Sequence, residues 1–495
     1  MSRLHHFFSP PGRETPPARF PFSPPGRETP PVSPRLLAAA ALAIAAGCTF
    51  SRDIQIKTHQ LMRPFAPGAV NGYNVEEHLQ RGYIPEVLEY LGEGGGLKSL
   101  DAAKGARVLG HALLERGDFK NAKVALARAF NEEGRPQQKA DCGWAMAQAL
   151  YWEGDFGQAA KWCRLTTDVG RTIPDGWTKF LEALDGTKLY AGVEPGASFV
   201  VPMKFGGPDL IRVLPRINGI AAGELVLDSG ASMSLLTESA AERLGVVPIP
   251  GAVAGAQGLH SIEIPIKFGL AKTVTVGDIT LENVPFGILQ DDALQFQTKT
   301  AGAFHPAGVL GVHFMKEFDW KLDYPKRKVA VIRLDQNRTR GSRQQNLFFR
   351  RLKPMVRTSL QQEAWFLFLL DTGSEPTMLT RTGVRRSKNT NFESSYPMTL
   401  EGIGQSRVSW GKMSNITVGT DRFQIWFKDI VVKEDQGSIE DGIIGSSFLS
   451  NFEVELRFSA MTVRLSQPVE NYLREREERG QQATSASPLQ FPSSQ

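Results

Sequence analysis

One short pattern occurs twice in this chain, and it constrains the fold more than any other feature. "ELVLDSGASMSLLT" runs from Glu224 to Thr237, and "LFLLDTGSEPTMLT" from Leu367 to Thr380. Each is an apolar strand-like run ending in an aspartate, then a hydroxyl residue and a glycine. A strand this apolar is normally buried, and burying an unpaired carboxylate is costly. Asp and Gly are also ordinary turn residues, which would explain one copy plainly. Two copies in register weaken that explanation. Asp228 and Asp371 lie 143 residues apart, and Val276–Gly277 is echoed 142 residues later at Val418–Gly419. "GVLGVHFMKEFDWKLDY" from Gly308 aligns without a gap with "GIIGSSFLSNFEVELRF" from Gly442, an offset of 134. Near-constant offsets at three landmarks indicate an internal repeat. The intervening runs are short, alternating and punctuated by Gly, Asn and Asp, so both copies are expected to be all-β.

A chain of 495 residues has room for more than one domain, and its 41% hydrophobic and 22% charged content is that of a globular protein. The net charge is +5, without a basic stripe interleaved with aromatics, which argues against nucleic-acid binding. Three cysteines cannot build a disulfide framework, and eight scattered histidines give no metal-ligand spacing. No P-loop or G-x-S-x-G elbow occurs, and no cofactor is expected.

Residues 1–48 read as a leader. A Pro/Arg-rich arm repeats "FSPPGRETPP", and "RLLAAAALAIAAGC" then ends at Cys48. A positive charge, a short apolar run and small residues before a cysteine have the form of a secretory signal. The site resembles bacterial lipoprotein processing, which implies lipidation of Cys48, membrane association and a periplasmic or cell-envelope location. Ala45 stands where that motif prefers Leu, and a cytoplasmic protein with a mere Ala-rich arm is the rival reading. Residues 49–72 read as a linker. Residues 73–190 turn helical, with "RGDF" and "EGDF" segments placing Gly117 and Gly154 at a spacing of 37. They resemble tetratricopeptide repeats, whose usual period is about 34. That likeness implies an α-helical repeat domain with a concave face for a protein partner or substrate. Cys142 and Cys163 read as small core residues. The β halves span 195–335 and 347–468, separated by a polar linker at 336–346, and 469–495 is a charged, disordered tail.

With D-S-G-A and D-T-G-S in two halves, each followed by "VLG" or "IIG", the β region resembles the aspartic proteases. Each half is similar to a retropepsin subunit, and the two together to a bilobal, pepsin-like molecule. The resemblance implies an aspartic endopeptidase acting on polypeptides, with Asp228 and Asp371 as a catalytic dyad and water as nucleophile. Two carboxyls in one dry cleft cannot both ionise, so the pair would share a proton. In that family Ser229 and Thr372 bond across to the other half. Gly230 and Gly373 are expected to allow a tight turn beneath the carboxylates. Gly311 and Gly445 would pack close under the same loops. Gly255 and Gly258, and Gly402 and Gly404, fall where flap hairpins are expected. Ala231 follows the first motif and Ser374 the second. A Ser374 hydroxyl donating to Asp371 would hold the charge there and leave the shared proton on Asp228. A catalytically silent peptide-binding scaffold of the same fold is the alternative.

Overall fold

The structure is a computed structural model. It describes residues 55–57, 69–92, 96–201, 210–257, 263–294, 296–298, 302–333, 345–361, 364–387, 392–400, 406–421, 423–433 and 439–466. Cys48 and the leader lie outside these residues, as do Gly258, Gly402 and Gly404.

Among the described residues, eight helices follow one another between 75 and 183: α1 (Val75–Gln80), α2 (Ile84–Gly92), α3 (Gly96–Ser99), α4 (Ala102–Arg116), α5 (Phe119–Glu132), α6 (Pro136–Glu153), α7 (Phe156–Asp168) and α8 (Asp175–Ala183). The pairs α4–α5 and α6–α7 are helical hairpins of matching build. Helices α4 and α6 each end on a left-handed glycine, Gly117 at φ 82° and Gly154 at φ 83°, a conformation that spares glycine the Cβ clash. The next residue then caps the following helix. Asp118 accepts from the Asn121 amide and Asp155 from the Gln158 amide, each at 3.3 Å. Cys142 and Cys163 are buried free thiols in this array, both pushed up to about 12, chiefly by burial.

The β region forms two nine-stranded sheets, one per lobe. In the first lobe Gly308–Leu310 lies between two strands, parallel to Leu225–Leu227 and antiparallel to Leu235–Thr237. The second lobe repeats this layout. There Gly442–Ile444 runs parallel to the end of Ala364–Leu370 and antiparallel to Met378–Thr380. A separate five-stranded sheet joins the lobes. At its centre Phe318–Asp323 pairs antiparallel with Glu453–Arg457.

Residues 49–72, expected to be a linker, instead supply a strand, Gln55–Lys57, antiparallel to Phe423–Lys433 at the edge of the second lobe's sheet. An open sheet edge offers unpaired backbone groups that such a strand satisfies.

The helices are not a detached module. Phe366, Phe368 and Leu370 enter the main core, whereas Leu367 and Leu369 on the opposite face pack with Val75, Leu79, Ile84 and Val87 of α1 and α2. Successive strand residues point to opposite faces, so helical cover on the second face accounts for the unbroken apolar run. Helix α8 covers the first lobe. Phe180 stacks on Phe268 with ring centroids 4.4 Å apart. A Cβ at Gly176 would collide with the backbone of Val253, so the helix sits directly on the strand Pro248–Gln257. Buried Arg350 clamps the helices to the second lobe, donating to Glu115 and to the carbonyls of Leu79 and Gln80.

Candidate active site

The two aspartates arrive at the lobe interface by the same local route. The Asp228 amide donates to the Leu310 carbonyl at 2.9 Å, and the Asp371 amide to that of Ile444 at 3.0 Å. Each bond continues a parallel strand pair by one residue, which aims the following loop toward the other lobe. Beneath the loops Gly311 and Gly445 have no room for a side chain. A Cβ would strike the Met233 carbonyl in the first lobe and the Pro376 carbonyl in the second. Their amides donate to the hydroxyls of Ser234 and Thr377, both at 3.2 Å. These two hydroxyl residues were not singled out from sequence. The signal was there, since Ser or Thr stands six residues after Asp in both copies.

Ser229 and Thr372 lock the lobes together. The Ser229 hydroxyl donates to the Leu370 carbonyl at 2.6 Å and accepts from the Thr372 amide at 3.1 Å. Reciprocally, the Thr372 hydroxyl donates to the Leu227 carbonyl at 2.7 Å and accepts from the Ser229 amide at 3.0 Å. All four bonds are buried, where hydrogen bonds are strongest and an orphaned partner is most costly.

Gly230 and Gly373 differ from expectation. Neither has positive φ, so turn conformation does not demand glycine there. Space does: a Cβ on Gly230 would lie 2.5 Å from Asp371 Cγ, and one on Gly373 would overlap Asp228 Cγ. Each carboxyl rests over the other lobe's glycine.

Asp228 and Asp371 are 8% and 6% exposed and hydrogen-bond to each other. Their surroundings are unequal. Asp228 Oδ1 accepts from two amides, Gly230 at 2.8 Å and Ala231 at 3.1 Å. Asp371 Oδ1 accepts from the Gly373 amide alone, at 3.0 Å. Burial raises both carboxyls. For Asp228 the hydrogen bond from Asp371 and the two amides oppose the rise. Asp371 goes well above its ordinary value, because burial is joined by the charge of Asp228 and their mutual hydrogen bond. Two amide donors against one favour the charge on Asp228 and the proton on Asp371. This reverses the expectation built on Ser374. Its hydroxyl donates to the Pro376 carbonyl at 3.1 Å, not to Asp371, an example of a serine captured by nearby backbone.

Gly255 lies inside the strand Pro248–Gln257, paired with Pro265, rather than at a hairpin tip. Among the described residues no group of three or more His, Cys, Asp or Glu side chains could hold a metal ion. A further charged residue, Lys353, acts on both aspartates and was not foreseen; its attraction lowers each of them.

Residues 213–314 of the 495 match the family model described as aspartyl protease. The β region is aspartic-protease-like. No curated protein matches the chain. A retropepsin-like aspartic protease from Rickettsia conorii is 13% identical over 28% of this chain and 96% of its own, with a TM-score of 0.19. An aspartic proteinase from Irpex lacteus is 11% identical over 55% of this chain and 97% of its own, with a TM-score of 0.33.

Proposed function

We propose that the chain is an aspartic endopeptidase whose dyad is Asp228 and Asp371. The observation that carries this reading is the unequal, hydrogen-bonded carboxyl pair over the two opposed glycines. A carboxylate and a carboxylic acid side by side are what water-mediated amide hydrolysis needs. Asp228, ionised, takes a proton from water as its oxygen attacks the peptide carbonyl carbon. Asp371 gives its proton to the carbonyl oxygen, and a tetrahedral diol results. The proton held by Asp228 then passes to the amide nitrogen, the C–N bond breaks, and one hydroxyl proton of the diol returns to Asp371. Atoms and charge balance without a covalent enzyme intermediate.

The helical hairpins belong to this reading as a tetratricopeptide-like unit that braces the lobes. Exposed Val124 and Leu165 on α5 and α7 favour an outward face for a protein partner or substrate. Export with lipidation at Cys48 is likewise proposed from sequence. Its check is the mass of the mature N-terminus, and release of Cys48→Ala from the membrane fraction.

The test of the dyad is a peptide-library digest with Asp228→Asn and Asp371→Asn. Because the pair acts as a unit, each single change is expected to abolish cleavage as fully as both together. Near-normal turnover in either variant would overturn the mechanism. Binding of a statine-type peptide without any cleavage by the native chain would favour the silent scaffold.

A further inference from the structure

The strand Lys353–Leu360 pairs antiparallel with Ala364–Leu370, and Met355 faces Leu369. Two residues further along the same register, Lys353 stands opposite Asp371. Continuing that register past the strand's end brings the lysine beside the aspartate at the lobe interface. The first lobe is built differently. There Arg212 faces Val226, and the same two-residue step sets Leu210, which is buried and apolar, opposite Asp228. The repeat therefore places a cation beside one aspartate and a hydrocarbon beside the other.

Lys353 is half-buried, and among the described residues its side chain has no ion-pair or hydrogen-bond partner. Its charge reaches both aspartates. A partly desolvated ammonium is unfavourable without an anion in contact, and Lys353 acts on the two aspartates through its charge alone, with no direct ion pair to either. Arg351, in the tight turn just before it, adds positive potential rather than neutralising it. That guanidinium is lowered by burial and by the nearby charge of Arg171 from the helical array.

We propose that Lys353 determines specificity, its ammonium receiving an aspartate or glutamate side chain of the polypeptide beside the scissile bond on the second-lobe side. This rests on the peptidase reading of the cleft. The first lobe has a buried leucine, not a cation, at the matching place, so the charge preference falls on one side of the bond only. Such a pairing inside a shielded cleft is far stronger than one on the surface, and it weakens with salt only in part.

The experiment uses the full chain and a set of peptides with a reduced, uncleavable central bond. Each position flanking that bond is varied as Glu, Gln or Lys. Binding is read by fluorescence anisotropy, and cleavage of the matching ordinary peptides is read in parallel. At one position Glu is expected to bind roughly tenfold or more tightly than Gln, as a partly buried charge pair allows. Lys353→Leu, which copies the first lobe, should erase that ratio, Lys353→Arg should retain most of it, and Lys353→Glu should make Lys the preferred residue. A Glu/Gln ratio equal in the native chain and Lys353→Leu at every position, with peptides still bound and cut, would overturn the Lys353 assignment and leave the peptidase reading intact. If the native chain neither binds nor cuts any peptide of the set, both fall together.

Discussion

The two lobes hold their aspartates with nearly the same backbone bonds, yet they set them in different surroundings. The first lobe gives Asp228 two amide donors and a leucine neighbour, and α8 braces its strand Pro248–Gln257. The second gives Asp371 one amide donor, a lysine neighbour, and helical cover from α1 and α2 on the back of its sheet. The scaffold is a repeat, and the chemistry is not. A symmetric frame fixes where two carboxyls meet, and small local inequalities decide which keeps the proton.

The largest effect should come from breaking the symmetric part. Gly230→Ala and Gly373→Ala each thrust a methyl into the opposite carboxyl. Both should lower kcat by ~10²-fold or more, as displacement of reacting groups by about 1 Å can do. Steady-state kinetics on one peptide checks this. If one variant stayed active, the lobes would not approach as closely as described.

Next is the brace peculiar to the first lobe. Gly176→Ala drives α8 off the Val253 backbone and should destabilise by about 1–3 kcal/mol, the usual range for overpacking. Denaturant unfolding measures it.

Acid–base behaviour distinguishes the aspartates from each other and from the histidine below them. Asp371 has a raised folded value, so its contribution to stability is complete below its ordinary 3.8 and is lost as pH climbs toward that raised value. Asp371→Asn should therefore raise Tm at pH 7 and leave it unchanged at pH 3, with Asp228→Asn giving a smaller gain. His313 has the opposite sign. It is buried, bonded through Nδ1 to the Tyr190 hydroxyl at 2.9 Å, and held well below 6.5 by burial and by Lys316. Its stabilising contribution is present above 6.5 and is lost as pH falls, so His313→Gln should flatten the acid side of the Tm profile. Thermal scans across pH read both trends.

Ser374→Ala should give the smallest effect, about 1 kcal/mol or less in stability from one lost hydrogen bond. Its pH–rate profile should coincide with that of the native chain, because the hydroxyl serves Pro376. A displaced acidic limb would mean that it reaches Asp371 after all.

What could be read from the sequence was whatever the repeat states twice. The apolar run into Asp-hydroxyl-Gly, the glycines at 311 and 445, and the junction of two β halves all follow from aligning the chain with itself. What could not be read depends on contacts distant in sequence. The spacing of Leu367 and Leu369 gives no sign that α1 and α2 will cover them. Gln55–Lys57 has too few residues to announce a strand and becomes one by completing an edge. The glycine requirement at 230 and 373 looked like a matter of turn conformation, because the colliding atom belongs to the other half. The sequence around Ser374 does not say which acceptor its hydroxyl takes, and only the loop's path shows that it is the carbonyl of Pro376.

In the sheet that joins the lobes, Lys321 faces Glu455. These two are also each other's counterparts under the 134-residue offset, so the pair sits where the repeat maps onto itself. In a dimer of identical chains, any residue at that spot meets its own copy, and a charge there meets the same charge. One continuous chain escapes the rule. It can write lysine in the first copy and glutamate in the second, with Lys321 also bridging to Glu453 at 2.8 Å. Fusion thus permits complementarity on the axis itself, something no pair of separate identical subunits could acquire by mutation.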